Sequence, residues 1–176
     1  MENLIPTHLI PSHFAPTSRI WIYQSSRPFT SEESEQIQKS IDEFISGWTA
    51  HGAAVKGIGL IVFKQFILLV ADESRTQVSG CSTDSSVHFI QQLQQAWNTD
   101  FFNRRTLAVW IQDKVHLFDM GDIPKAMENQ SIDAETLYFN NLVGTLQEWR
   151  NHWIQPIKNS WIAQKYPGIF SATSPV

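Results

Sequence analysis

The stretch KGIGLIVFKQFILLVADE, residues 56–73, decides the fold, because it contains the longest apolar stretch of the chain. The apolar residues form two runs on either side of Lys64-Gln65, and short runs rich in Ile, Val, Leu and Phe are typical of strands. The pattern therefore predicts two strands that meet at a tight turn. Since both are apolar at most positions, we expect them to lie centrally in a sheet with little solvated face.

Strand and helix patterns alternate on both sides of these two strands. Arg19 to Gln24 is β-branched and aromatic, which predicts a strand, and Thr30 with Glu33 forms a capping box that predicts a helix over about 31–49. A second helix is expected from Ser82 to Asp84 onwards, followed by a hairpin over 107–118. This order predicts an α+β protein with a ferredoxin-like βαββαβ core sheet, an extra hairpin strand and C-terminal helical additions.

Proline positions mark the expected boundaries. Pro6, Pro11 and Pro16 predict an extended arm over residues 1–18, and residues 168–176 have the character of a flexible tail. Residues 19–167 are then expected to form a single α+β domain. Within it, Leu137 to Phe139 is predicted to be a short strand, and Gly144 to Trp161 is predicted to be mostly helical, with a kink or break at Pro156.

Composition narrows the class of protein. The net charge of −4 offers no general attraction for nucleic acid, and Arg104-Arg105 alone is too small a basic patch. A single cysteine excludes an internal disulfide framework, and no apolar run is long enough for a membrane span, so we expect a cytoplasmic protein. The 7 Trp and 11 Phe predict either an aromatic core or an exposed surface for a partner protein.

Cys81 is the single cysteine, and it directly precedes a predicted helix. If that helix begins at Ser82 or just after, its free N–H groups and its dipole would stabilise a thiolate there. A nucleophilic cysteine also needs a base, for which His51 and His88 are candidates. The alternative is that Gly80-Cys81 forms a close-packed corner, in which Cys81 is a small buried apolar residue.

The same segment is a candidate ligand site without catalysis. Gly80 would allow close approach, and Cys81, Ser82 and the first N–H groups of the helix could hold an anion. Asp84 already places a negative charge in this first turn. The alternative is that these residues only cap their own helix.

Two pairs of polar residues adjoin apolar segments. Asp72-Glu73 closes a predicted strand and could bind Mg²⁺ or act as acid and base, although a turn at the strand end is the simpler explanation. Asn140-Asn141 could contact a ligand or bridge loops by bonding backbone groups. The histidines have no metal-binding spacing, so we expect no metal site and no cofactor.

Several stretches together resemble a small family of bacterial cytosolic proteins whose members are commonly labelled "ABC transporter ATPase". The resemblance covers about residues 19–162. It implies nucleotide binding, yet no glycine run followed by Lys-Ser or Lys-Thr forms a phosphate-binding loop here. The resemblance also suggests that the Cys81 segment, Asp72-Glu73, His51 and Asn140-Asn141 form one site. The matching stretches are IWIYQSSRPFT (20–30), WTAHGAAVK (48–56), FILLVADE (66–73), SGCSTDSSVHFI (79–90), FFNRR (101–105), FNNLV (139–143) and NSW (159–161).

The sequence thus favours a small cytosolic protein that acts by binding a partner protein or a small ligand rather than by catalysis. A cysteine-dependent enzyme or redox protein using Cys81 is the first alternative. A nucleotide-binding protein of the kind the family label names is the second.

Overall fold

The computed structural model describes residues 4–50, 52–72 and 80–167, without the side chains of residues 80–82. The mixture of helices and antiparallel sheets confirms the predicted α+β class. The chain divides into two compact units where the sequence predicts a single domain over 19–167. Unit 1 comprises the residues up to Asn103 together with Asn141–Asn151, and unit 2 comprises Arg104–Asn140 and the residues from His152 onwards.

The bounds of the regular elements are as follows. The helices are α1 (Ser31–Gly47), α2 (Gly80–Ala96), α3 (Ile123–Glu128), α4 (Leu146–His152) and α5 (Trp161–Lys165). The strands are β1 (Arg19–Gln24), β2 (Thr49–Ala50), β3 (Ala53–Ala54), β4 (Gly57–Val62), β5 (Phe66–Ala71), β6 (Thr106–Ile111), β7 (Lys114–Asp119), β8 (Leu137–Phe139) and β9 (Ile154–Pro156). Within the described residues, none of the helices has the length and apolar character needed to cross a bilayer.

The main sheet of unit 1 has the antiparallel order β1-β5-β4. All six residues of β5 are fully buried, so the two strands predicted in residues 56–73 and the central position of the second are confirmed. The turn between them places Phe63 and Lys64 at φ of 53° and 51°. The turn has three residues, 63–65, because Val62 pairs with Phe66, and this left-handed backbone suits the right-handed twist of the strands that it joins.

Helix α1 packs against β4 across two glycines. The predicted capping box is present, with the Glu33 N–H donating to Thr30 Oγ1 over 3.1 Å and the Thr30 N–H donating to Glu33 Oε2 over 2.9 Å. A Cβ at Gly59 would lie only 2.2 Å from Ile41 Cγ2, so the missing side chain lets the helix approach the strand closely.

The N-terminal segment packs on unit 1 instead of forming an extended arm throughout. Residues Thr7–Leu9 form a 3₁₀ helix, and Ile5, Ile10 and Phe14 are buried. Further along, two backbone carbonyls of this segment accept the first N–H groups of α4. The Leu146 N–H donates to Ser18 O over 2.8 Å, and the Gln147 N–H donates to Pro16 O over 2.9 Å. The segment therefore satisfies donors that an isolated helix would leave open.

Unit 2 contains a second antiparallel sheet with the order β7-β6-β8-β9. Strand β6 would be the fourth strand of a ferredoxin-like sheet, but it pairs with β7 and β8 instead. The ferredoxin-like arrangement is therefore not confirmed. Helix α3 covers this sheet with Ile123, Ala126 and Met127, which are buried.

The predicted helix over 144–161 is wrong beyond its first part. Helix α4 ends at His152, and Ile154–Pro156 forms strand β9, in which Pro156 pairs with Leu137. Strand β9 is the last strand of its sheet, and a proline is tolerated there because an edge strand needs only one side of its backbone for pairing.

Candidate functional site

Asp72 lies at the end of β5 as predicted, and its side chain is only 2% exposed. The Lys56 ammonium lies 2.5 Å from Asp72 Oδ2 and also donates to the backbone oxygen of His13 over 3.1 Å. The same ammonium lies 5.1 Å from the ring centre of Phe14. The carboxylate is thus neutralised inside a contact that holds the N-terminal segment, which favours the structural interpretation of Asp72 over magnesium binding or acid–base catalysis.

Cys81 lies in the first turn of α2, which begins at Gly80, slightly earlier than predicted. The side chains of Cys81 and Ser82 lie outside the described residues, and so do His51 and Glu73. The hypotheses of a reactive thiol and of an anion site in this segment therefore stay predictions.

The remaining candidates of unit 1 are separated. Asp84 and His88 are exposed on α2. The Asn141 amide donates to Gln24 Oε1 over 2.9 Å, at the end of β1 that pairs with Phe66, whereas Asp72 follows the opposite end of the same strand pair. Six paired residues separate the two ends, which corresponds to roughly 16 Å. Asn141 and Asp72 therefore do not share one small-ligand site, and the hypothesis of a single grouped site is wrong for this pair.

Asn140 belongs to unit 2, and its N–H donates to Trp153 O over 2.6 Å. This bond continues the pairing of β8 with β9, so the backbone of Asn140 contributes to the sheet. Across the ranges that the structure describes, no group of three or more His, Cys, Asp or Glu side chains could hold a metal ion.

A different part of unit 1 forms an open groove of about 560 Å³, which we call the Arg150 groove. One wall comes from the N-terminal segment and the other from the end of α4. Polar side chains with hydrogen-bonding capacity dominate the lining, with two apolar residues between them. The lining residues are Thr7, His8, Ile10, Pro11, Ser12, Arg150 and Asn151.

Packing inside unit 1 fixes both walls of the Arg150 groove. Burial of Ile5, Ile10 and Phe14 anchors the first wall, which leaves His8 exposed beside the 3₁₀ turn. On the second wall, α4 buries Trp149 completely, and the next residue, Arg150, is half-buried. Arg150 therefore lines the groove between the helix that carries it and the N-terminal segment.

The polar side chains of the Arg150 groove have no partner among the residues that the structure describes. Within residues 4–50, 52–72 and 80–167, the side chains of Arg150, His8, Thr7, Ser12 and Asn151 make no hydrogen bond or ion pair. No acidic residue of the described ranges lines the groove. A half-buried cation without a counter-charge is unfavourable unless solvent or a ligand supplies one. The groove thus presents a positive charge and several donors to a bound group.

Sequence patterns did not indicate this groove. Thr7 to Ser12 was predicted to be part of an extended arm, and Arg150 has the appearance of an ordinary polar residue of a helix. The only available signal was indirect, namely apolar residues between the N-terminal prolines, which need a surface to pack on. The distance along the chain between the two walls explains why local patterns could not connect them.

Comparison with known proteins finds no matching family model, no matching curated protein and no matching solved structure. The function has to be inferred from the chain's own contacts and charges.

Proposed function

We propose that the protein acts by binding a small anionic ligand, a carboxylate or a phosphate, in the Arg150 groove. The observation that carries the proposal is the half-buried Arg150, which lines a concave surface and has no acidic side chain beside it in the lining and no side-chain partner among the described residues. Carboxylate and phosphate groups match the planar fork of a guanidinium, which can bind them through two parallel hydrogen bonds.

The other lining residues suit the same class of ligand. The hydroxyl groups of Thr7 and Ser12 and the amide of Asn151 can donate to further ligand oxygens. Pro11, which is half-buried, offers a small apolar contact to a carbon skeleton. A volume of about 560 Å³ lies within the usual range of small-molecule sites, and the mainly polar lining favours a charged ligand over an apolar one.

Because the groove is open, a bound ligand would keep part of its hydration. We therefore expect micromolar rather than nanomolar affinity for a small acid. Binding to an acidic group on a partner protein would use the same residues, but it would bury more surface and give tighter binding than the small acid alone.

The test is a titration of ¹⁵N-labelled protein with succinate and with inorganic phosphate at constant ionic strength. We expect saturable shifts of the amides in residues 7–12 and 150–151, and their loss in Arg150→Gln. The matched control is Lys114→Gln, which removes the same charge from an exposed hairpin position. The proposal fails if neither probe shifts these amides, or if both variants bind like the wild type.

We also propose that unit 1 is a shortened form of the ferredoxin-like arrangement. The order β1-β5-β4, with α1 connecting β1 to β4, supports this relationship because it reproduces three strands and the split βαβ connection. The cytoplasmic location and the resemblance to the bacterial family labelled "ABC transporter ATPase" stay predictions, and the Arg150 groove depends on neither.

A further inference from the structure

Unit 2 contains a second cavity, of about 430 Å³, which we call the basic–aromatic cavity. Three of its residues are cationic and two are aromatic. They come from the start of unit 2, from the loop after β7 and from helix α5. The lining residues are Arg104, Arg105, Met120, Gly121, Trp161, Lys165 and Tyr166.

Two cations of this cavity, Arg104 and Lys165, have no carboxylate partner among the residues that the structure describes. Arg104 makes no hydrogen bond or ion pair with any residue that the structure describes. Arg105 lies 3.7 Å from Asp119, but the two side chains are 80% and 44% exposed, so this pair is weak. Lys165 faces aromatic rings rather than a carboxylate. Even with Asp119 counted, the cavity keeps a net positive charge.

The aromatic residues lie beside these cations. Lys165 Nζ is 5.9 Å from the ring centre of Trp161 and 5.4 Å from that of Tyr166. Tyr166 is oriented by its hydroxyl, which donates to Met120 O over 3.4 Å. Trp161 is 42% exposed, which is unusual for so large an apolar side chain and leaves part of its ring accessible.

We propose that the basic–aromatic cavity is a second binding site, for an aromatic phosphate ester of nucleotide size. The cationic side chains of Arg104, Arg105 and Lys165 would hold the phosphate, and the planar ring of the ligand would stack on Trp161. This site lies beyond the function proposed for the Arg150 groove and uses none of its residues.

The size of the charged patch selects the ligand class. Three cations match the charge of one or two phosphate groups, whereas a nucleic acid strand needs a longer positive track with repeated stacking residues. A purely acidic ligand would use the cations but would leave the exposed face of Trp161 without a role. A ligand that carries both a phosphate and a ring uses both features.

The experiment measures binding of AMP to the full chain by calorimetry, with inorganic phosphate, adenosine and a single-stranded hexa-adenylate as comparison probes. We expect AMP to bind more tightly than phosphate or adenosine, because only AMP contacts both parts of the site. Trp161→Ala should weaken AMP binding about tenfold, as is typical of losing a stacking side chain. Lys165→Gln should weaken it about fivefold through the lost charge-assisted contact. Lys125→Gln, at an exposed position of α3, is the matched control and should change nothing.

Several results would overturn the proposal. One is AMP binding that is no tighter than that of inorganic phosphate, or that persists unchanged in both variants. Another is binding of hexa-adenylate that is far tighter than binding of AMP and that depends on salt more steeply than three cations can produce. This result would identify a nucleic acid surface instead. All titrations are repeated in Arg150→Gln, which removes phosphate binding at the Arg150 groove. The binding that remains then belongs to the basic–aromatic cavity, so failure at one site is distinguishable from failure at the other.

Discussion

The ammonium of Lys56 and the buried carboxylate of Asp72 form an ion pair that joins the end of β5 to the N-terminal segment. Lys56 extends the hydrogen-bonded register of β4, since its backbone oxygen accepts the Asp72 N–H over 2.8 Å. The backbone hydrogen bond and the ion pair of these two residues thus stabilise the same strand pair. The ammonium also contacts the backbone oxygen of His13 and the ring of Phe14.

Replacing Lys56 with Met should destabilise the protein more than replacing Asp72 with Asn. Lys56→Met leaves a buried carboxylate without its cation, whereas Asp72→Asn removes the buried charge and keeps a group that can form hydrogen bonds. We expect Lys56→Met to lower the free energy of unfolding by about 1–3 kcal/mol, less than for a fully buried pair, because Lys56 is 41% exposed. Urea denaturation measures this change.

Lys39→Met, at an exposed position of α1, provides the control for loss of a surface lysine. Lys56→Met should also expose the N-terminal segment to limited proteolysis. Equal stability of Lys56→Met and Lys39→Met would show that the ion pair contributes nothing.

Gly59→Ala should destabilise unit 1, and Gly47→Ala should not. A Cβ at Gly59 would clash with Ile41 at 2.2 Å, and overpacking of this kind costs about 1–3 kcal/mol. Gly47 is the last residue of α1 and a Cβ there meets nothing within 4 Å, so alanine should stabilise the helix by up to about 1 kcal/mol. Thermal unfolding of the two variants should shift in opposite directions, and a shared direction would contradict the close approach of α1 to β4.

Gln38 protects the open edge of β4. Its Nε2 donates to Gly59 O over 2.9 Å, and its Oε1 accepts the Ile61 N–H over 3.1 Å. Exposed strand edges promote pairing between molecules. We therefore expect Gln38→Ala to cause concentration-dependent association, measured by light scattering after size-exclusion chromatography. Gln36→Ala, at an exposed position of the same helix, should elute like the wild type, and an unchanged profile for both variants would exclude the protective role.

Glu33 should make stability depend on pH in the acid range. The hydrogen bonds from Arg27, and then the Thr30 N–H, lower the pKa of Glu33 from 4.5 to about 2. Because this folded-state pKa is lowered, ionised Glu33 stabilises the fold above pH 4.5, and the contribution is lost as the pH falls towards 2. The melting temperatures of the wild type and Glu33→Gln should differ at neutral pH and converge below pH 4.5. Glu35→Gln serves as the control, and a difference that stays constant with pH would refute the assignment.

Arg150→Met should leave the fold intact. Arg150 is half-buried and makes no ion pair within the described part of the chain, so an apolar replacement of similar length removes a desolvation cost without breaking a contact. We expect the free energy of unfolding to stay within about 0.5 kcal/mol of the wild type or to rise. A loss well beyond this range would show that Arg150 has a structural role, in conflict with the function proposed for the groove.

Local sequence patterns predicted the elements that local physics determines. The capping box gives backbone N–H groups at the start of α1 their hydrogen-bond partners, and its two residues, Thr30 and Glu33, are only three positions apart. The two apolar strands in residues 56–73 are adjacent in the chain, so their pairing needs only a short turn. In both cases the interacting residues lie in one short stretch of the chain, and the prediction is confirmed.

Features that depend on distant partners could not be predicted in the same way. Strand β6 has an ordinary strand pattern, but its place is set by β7 and β8 rather than by β1. Pro156 was predicted to break a helix, because only the pairing with Leu137 reveals a strand there. The walls of the Arg150 groove likewise meet only after the N-terminal segment has packed on unit 1.

The capping of α4 by Pro16 and Ser18 imposes an order on folding during synthesis. The N-terminal segment leaves the ribosome well before its hydrogen-bond donors do, because those N–H groups belong to Leu146 and Gln147. Until then, Ile5, Ile10 and Phe14 of the nascent chain lack their final packing contacts. The Arg150 groove can therefore form only after residues 146–151 have been made, and ligand binding there would mark a chain whose translation has passed α4.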